Sequence, residues 1–267
     1  MKNVFVLIHD DIGQEARLQA ALDLVRALGG HLSCIDVIQV PVLVGDVYGF
    51  GGQAQLVELE REREGENRAR VEARLIREGV SWSWTDVVGD VAPTVTGLSD
   101  LADIIVLNRK LEKAQAPDMQ GITAAVMLGS HKPVLAVPDS SRGCNVSGHA
   151  LIAWDGSSES ASALRAAVPL LALARSVTIV EVENGNVSAP ASEAAVYLSR
   201  HDIHADVTGV ATDGKGVAEV LVDQCRLHKA DYLVMGGYGH SRVTEALFGG
   251  ITRTMLGCCQ VPLLLAH

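Results

Sequence analysis

The sequence predicts an α/β protein made of two doubly wound domains in tandem, each a five-stranded parallel sheet with helices on both faces. Three observations predict it. Short apolar runs alternate with helix-length amphipathic segments, the pattern of βαβ units joined by right-handed crossovers. The order of these elements occurs twice along 267 residues. Several segments of the first half also return in the second in nearly the same wording.

Val4–Ile8 is a short apolar run, followed by Asp10 and a helical stretch from Gln14 to Leu28; Leu32–Val40 reads as the second strand. In the second half, Ala150–Trp154 is followed by Asp155, a helical stretch from Ser158 to Ala174 and a strand at Val177–Val182. A helix, a third strand, another helix and a fourth strand follow in each half. The fourth strands, Ala102-Asp103-Ile104-Ile105-Val106-Leu107 and Ala230-Asp231-Tyr232-Leu233-Val234-Met235, are nearly superimposable. So are the ends: Gly121-Ile122-Thr123 with Pro133-Val134-Leu135 answers Gly250-Ile251-Thr252 with Pro262-Leu263-Leu264.

Asp10 and Asp155 lie 145 positions apart but Pro133 and Pro262 only 129, so the first half carries about 16 extra residues. The Gly- and Pro-bearing stretch Pro41–Gln53 is where a loop insertion is expected. Gln55 to Arg77 then reads as a solvated helix with one buried face. Leu56, Leu59, Val71, Leu75 and Ile76 form its broken apolar stripe, and Glu64–Arg68 and Glu66–Arg70 stand at helical pairing distance. Trp82 and Trp84 alternate with Ser81 and Ser83, which places both indoles on one face of the third strand, over core or against the other half. The Ser/Gly/Asn-rich stretch Asp139–Gly148 follows a proline and serves as the linker, giving domains at 1–142 and 148–267.

The formal charge is −10, with 48% hydrophobic and 20% charged residues. That balance argues for a globular chain and against nonspecific binding to nucleic acid or anionic membrane. An anionic ligand would need a local device such as backbone amides at a helix N-terminus. No apolar run approaches the roughly 20 residues that span a bilayer, and the N-terminal run meets His9-Asp10-Asp11 too soon for a signal peptide. Five cysteines without zinc-ligand spacing read as reduced thiols, and the cytoplasm is the expected location.

The chemistry is concentrated after the fourth strand of the second half, which ends at Met235. Gly236-Gly237-Tyr238-Gly239-His240 leads, with nine residues between Gly239 and Gly249, to Gly249-Gly250-Ile251-Thr252. Glycines at a strand end let backbone approach a ligand closely, and unpaired amides at a helix start favour phosphate oxygens. In open α/β sheets, ligands sit at the carboxyl ends of strands where the winding reverses. Asp155 and this loop both lie at such ends.

With this motif and its strand context the second half resembles the ATP-binding subgroup of the universal stress protein family, related in fold to adenine nucleotide alpha hydrolases. The whole chain resembles a tandem member. The family's motif is G-x-x-G, nine residues, then G and a Ser or Thr; here Gly250 stands where the hydroxyl usually does. The resemblance implies that Asp155 lies near adenosine, that Val182 offers backbone to adenine, and that Gly236 and Gly239 pass the ribose and phosphates. It further implies that Gly249, Gly250 and Ile251 donate amides to phosphate, with Met235, His240 and Thr252 beside them. The ligand implied is ATP or AMP, with or without magnesium. In this family domains pair through their last strands, so the resemblance implies an internal pairing of Pro133–Val137 with Pro262–Ala266; a further homodimer stays open. Asp155 could also cap the following helix, and Gly236–Gly239 could form a tight turn without a ligand.

At the matching place the first half reads Leu107-Asn108-Arg109-Lys110-Leu111, and only Gly121 survives of the glycines. The first half is therefore expected not to bind nucleotide this way. A metal at His9-Asp10-Asp11 is not expected, because adjacent carboxylates on an extended strand point to opposite faces.

There is no Gly-Lys-Ser/Thr phosphate loop, and no carboxylate pair for magnesium is evident beside the glycines. The leading reading is a stress-response protein that senses nucleotide, with slow ATP hydrolysis at most. A nucleotide-independent interaction module with a vestigial site is the alternative. A nucleotidyl-transfer enzyme is a third, resting on fold analogy alone.

Overall fold

The computed structural model describes residues 1–39, 50–112, 117–183, 189–239 and 250–267. The first half runs β1 (Asn3–Ile8), α1 (Gln14–Leu28), β2 (His31–Ile38), α2 (Phe50–Glu78), β3 (Ser81–Val88), α3 (Val91–Leu98), β4 (Ile104–Asn108), α4 (Met119–Ser130) and β5 (Val134–Val137). The second runs β6 (His149–Trp154), α5 (Ser158–Leu171), β7 (Ser176–Glu183), α6 (Ala191–Ser199), β8 (Ala205–Ala211), α7 (Val217–Leu227), β9 (Tyr232–Gly236), α8 (Ile251–Cys258) and β10 (Leu263–Ala266).

All ten strands form one sheet in the order β3-β2-β1-β4-β5-β10-β9-β6-β7-β8. Every neighbouring pair is parallel except β5 and β10, which run antiparallel with Leu135 opposite Leu264. The two expected five-stranded sheets thus meet through their last strands. Central strands lie between helices on both faces, which is why they read as unbroken apolar runs: Val4 to Ile8 and Ile104 to Asn108 are buried throughout. The edge strands alternate instead. In β3 the serines face out, while Trp82 and Trp84 pack on the core below α1 and α2. One core, beneath α1, α2, α5 and α6, continues across both halves; the other lies beneath α3, α4, α7 and α8.

Local chemistry fixes the helix ends. Helix α1 stops at Gly29, whose φ of 58° is left-handed and natural for glycine. Helix α5 stops at Leu171, short of the expected Ala174, because the chain tightens into a three-residue bond from Leu173 N to Leu170 O (3.0 Å). Helix α2 begins at Phe50, so the insertion expected as loop through Gln53 is helical from that point, and positions 40–49 lie outside the described residues.

The inner face of α2 differs from the expected stripe. Val71 and Leu75 are buried, but Leu59 and Ile76 are exposed. Glu64 and Arg68 do not pair: Glu64 turns inward to His9, while Arg68 bonds Glu72 (2.8 Å) and Asp86. Arg70 reaches Asp10 at 3.0 Å rather than Glu66. An exposed helical pair contributes only a few tenths of a kcal/mol, so a buried or cross-element partner outcompetes it.

Arg109 fastens the halves together. It follows β4, is 6% exposed, and donates through Nη1 to Leu256 O (3.0 Å) and Gly257 O (2.8 Å) at the end of α8. These carbonyls have no partner inside the helix, and the guanidinium also complements the helix dipole. Arg109→Met is expected to lower stability by about 2 kcal/mol, the value of charge-assisted bonds lost at a buried site. Urea denaturation checks this, and a change below ~0.5 kcal/mol would rule out the clamp.

Candidate functional site

A cavity of about 300 Å³ opens at the carboxyl ends of β6 and β9. It lies at a switch point, because the chain winds from β6 outward to β7 and β8 and then returns to β9 on the other side. The cavity is amphipathic. Val180, Val182, Val217, Leu221, Met235 and Ile251 form apolar walls, while Asp155, Ser157, Glu159, Ser160 and Thr252 bring polar groups. Such a slot suits a flat apolar ring system with a polar extension.

The structure brings most of the sequence-predicted residues together here. Asp155, Val182, Met235, Gly236, Gly239, Ile251 and Thr252 all line the cavity. Gly250 stands next to it as the N-cap of α8, with φ −43° and ψ 153°. His240 and Gly249 lie outside the described residues.

Asp155 is exposed and accepts from Ser157 N (3.0 Å) and Ser157 Oγ (2.6 Å). Ser157 in turn caps α5 by accepting from Ser160 N at 3.1 Å. The capping role therefore belongs to Ser157, and Asp155 holds the cap in place.

Gly236 is set by packing. A Cβ there would stand 2.7 Å from both Glu159 C and Ser160 N, the backbone of the first turn of α5. Gly239 is less confined: a Cβ would sit 3.6 Å from the Glu159 carboxylate, in ordinary contact. Between them Tyr238 adopts φ 52°, and its amide donates to Thr252 Oγ1 at 3.2 Å. Thr252 thus ties the strand end to the helix start, as Thr123 does in the first half by donating to Asn108 O at 3.0 Å.

Among the described residues no side chain caps α8. Its first amides and the positive end of its dipole point toward the cavity end of the helix, where an anion is stabilised. The corresponding helix of the first half is closed: the Asp118 carboxylate accepts from Gly121 N at 3.1 Å.

Sequence reasoning missed Ser157, Glu159 and Ser160. Ser157 opening a helix with a hydroxyl was a legible N-cap signal. Glu159 was not legible, since an acidic residue in a first turn is commonplace; here it is 5% exposed and faces the glycines. No carboxylate pair was evident in the sequence, yet Asp155 and Glu159 both stand on the cavity wall.

At the matching strand ends of the first half, β1 and β4, stands a buried polar network. Arg17 is wholly buried and donates to Leu7 O (3.0 Å), His9 O (3.2 Å), the Asp11 carboxylate (2.9 Å) and Asn108 Oδ1. Burial pulls its pKa below the usual arginine value, opposed by the charge of Asp11. The glycine has also changed sides. In the second half Gly236 on the strand faces Glu159 on the helix; in the first, Asn108 ends the strand and Gly13 receives it, with no room there for a Cβ.

No protein-family model matches the sequence, and neither does any curated protein. Solved structures do share the architecture. A universal stress protein from Archaeoglobus fulgidus DSM 4304 superposes with a TM-score of 0.78 at 16% identity, covering 99% of this chain and 97% of that one. A protein of unknown function from Pseudomonas aeruginosa PAO1 gives 0.62 at 16% identity, covering 99% and 92%. The chain has the tandem fold of universal stress proteins over its whole length.

Proposed function

We propose that the chain is a tandem universal stress protein that binds one adenine nucleotide, ATP or AMP, in its second half and acts as a sensor in the stress response. The observation that supports this most is the joining of an apolar slot to the start of α8, which no side chain among the described residues caps, at the sheet's switch point. The base would lie between Val180, Val182 and Met235, with the ribose near Asp155. The phosphates would lie along Gly239, Gly249, Gly250 and Ile251, with His240 and Thr252 beside them. A magnesium ion carried with the phosphates would meet Asp155 or Glu159. With no helix among the described residues long and apolar enough to cross a membrane and a charge of −10, we place its action in the cytoplasm, away from nucleic acid.

The test is to denature the purified protein, identify any released nucleotide by chromatography, and titrate ATP and AMP into nucleotide-free chain. About one equivalent per chain is expected. Gly239→Val fills the cavity without striking backbone, so it is expected to keep the fold and weaken binding at least ~10-fold, or ~1.4 kcal/mol. Thr252 already engaged by Tyr238, and Gly250 in place of a hydroxyl residue, favour a second reading, a nucleotide-independent interaction module. Failure of millimolar ATP and AMP to raise the melting temperature would decide for it.

A further inference from the structure

Asp10 and Asp11 diverge, although they lie in the bend after β1 and not on an extended strand: Asp11 turns to Arg17, while Asp10 turns to Arg63 and Arg70. His9 faces α2 instead. There Glu60 and Glu64 stand one turn apart on the same side of the helix, and one ligand atom from each of His9, Glu60 and Glu64 lies within 4.8 Å of the others. His9 Nδ1 pairs with Glu64 Oε1 at 2.7 Å. Glu64 is 1% exposed and is held from behind by Asn67 Nδ2 (3.1 Å) and Asp10 N (3.1 Å). Asn67 is itself pinned by Gln14 at 2.7 and 2.8 Å. Such outer partners orient the ligands of a metal.

A second observation is independent of this cluster. Asp36 is 1% exposed, and its Oδ1 is buried without a hydrogen-bonding partner. It sits on β2 in register with Ile8 of β1, on the same face as the buried Cys34, beneath α2 and within the field of Glu64 and His9. Burial pushes the Asp36 carboxyl up to about 7, so either a proton or a nearby positive charge offsets the cost of its burial. Two carboxylates, Glu60 and Glu64, converge on the one imidazole of His9.

We propose that the first half binds one divalent transition-metal ion, with zinc as the best match, through His9, Glu60 and Glu64 at the junction of β1 and α2. Asp36 is a buried carboxyl group in the neighbourhood of the site and not one of its ligands. One imidazole with carboxylates suits zinc or manganese; the nitrogen ligand discriminates against magnesium and calcium. Ligands about 2.0–2.2 Å from the ion require the present cluster to contract, and the partly exposed Glu60 has the freedom to close it. His9 would bind as the neutral imidazole.

The experiment strips the full-length protein with chelator and titrates zinc against a chromophoric competitor, in the absence of nucleotide. One tight equivalent per chain is expected, undisturbed by a thousandfold excess of magnesium. Glu60→Gln, at the surface end of the cluster, is expected to keep the melting temperature of the stripped protein and weaken zinc ~10–100-fold; His9→Gln is expected to weaken zinc likewise. Cobalt substituted for zinc would report the ligand set by its visible absorption, altered in both variants. No stoichiometric zinc binding, displacement by magnesium, or binding unchanged in both variants would overturn the site, leaving His9 and Glu64 as an ion pair alone.

Discussion

Replacing Arg17 with methionine is expected to destabilise the first half by about 3–5 kcal/mol, the range for removing one partner of a buried charge pair. The guanidinium serves four acceptors at once: Leu7 O, His9 O, the Asp11 carboxylate and Asn108 Oδ1. Methionine fills the volume but leaves these groups facing apolar surface, so the desolvation of Asp11 is no longer offset. Arg17→Lys should recover little, because an ammonium cannot reproduce the planar fork that reaches acceptors on β1, the following turn and β4 together. Urea denaturation of the wild type and both variants measures the effect. A loss below ~1 kcal/mol in Arg17→Met would mean that water or a rearranged Asn108 takes over, and that the network is not what closes the first half.

The second large effect is expected at Gly236. In Gly236→Val the new Cβ stands 2.7 Å from the backbone of Glu159 and Ser160, so the start of α5 must move. Overpacking typically costs about 1–3 kcal/mol, and contact with backbone rather than a flexible side chain puts this case at about 3 kcal/mol. The exchange of glycine between strand and helix gives a sharper form of the prediction. Gly236→Asn alone should destabilise strongly, while Gly236→Asn combined with Glu159→Gly should recover part of the loss, since Asn108 facing Gly13 is stable in the other half. A double-mutant cycle detects this coupling. Strict additivity would show that the two sides of the contact are not interchangeable.

Several elements were legible because their signals are local. Helix α1 was predicted over the residues it occupies, since its apolar period is unbroken and Gly29 follows it. The repeated wording of the fourth strands disclosed the tandem order, and glycines after a strand marked the cavity where Asp155, Met235 and Gly239 meet. What escaped depends on residues far apart in the chain. Glu64 reads as the helical partner of Arg68, yet it faces His9, and nothing within one turn of α2 records that preference. Arg109 reads as part of a lost glycine loop, while its function as a clamp needs α8, nearly 150 positions later. Asn108 and Gly13 exchange roles with Gly236 and Glu159 across a contact visible only after folding. For His240 and Gly249, outside the described residues, the sequence remains the guide.

The antiparallel joint of β5 and β10 fixes the relation between the halves in a way that separate domains could not. Two identical subunits associating through such strands would yield assemblies with matching halves, and dilution would part them. Here the partners share one covalent chain, so their mutual concentration is constant at any dilution. The joint also reverses the strand direction, so the cavity of one half and the Arg17 network of the other open at opposite ends of the sheet. A half with the cavity and a half with the Arg17 network are thereby held in a fixed one-to-one ratio, an asymmetry that free self-assembly of equal copies cannot guarantee.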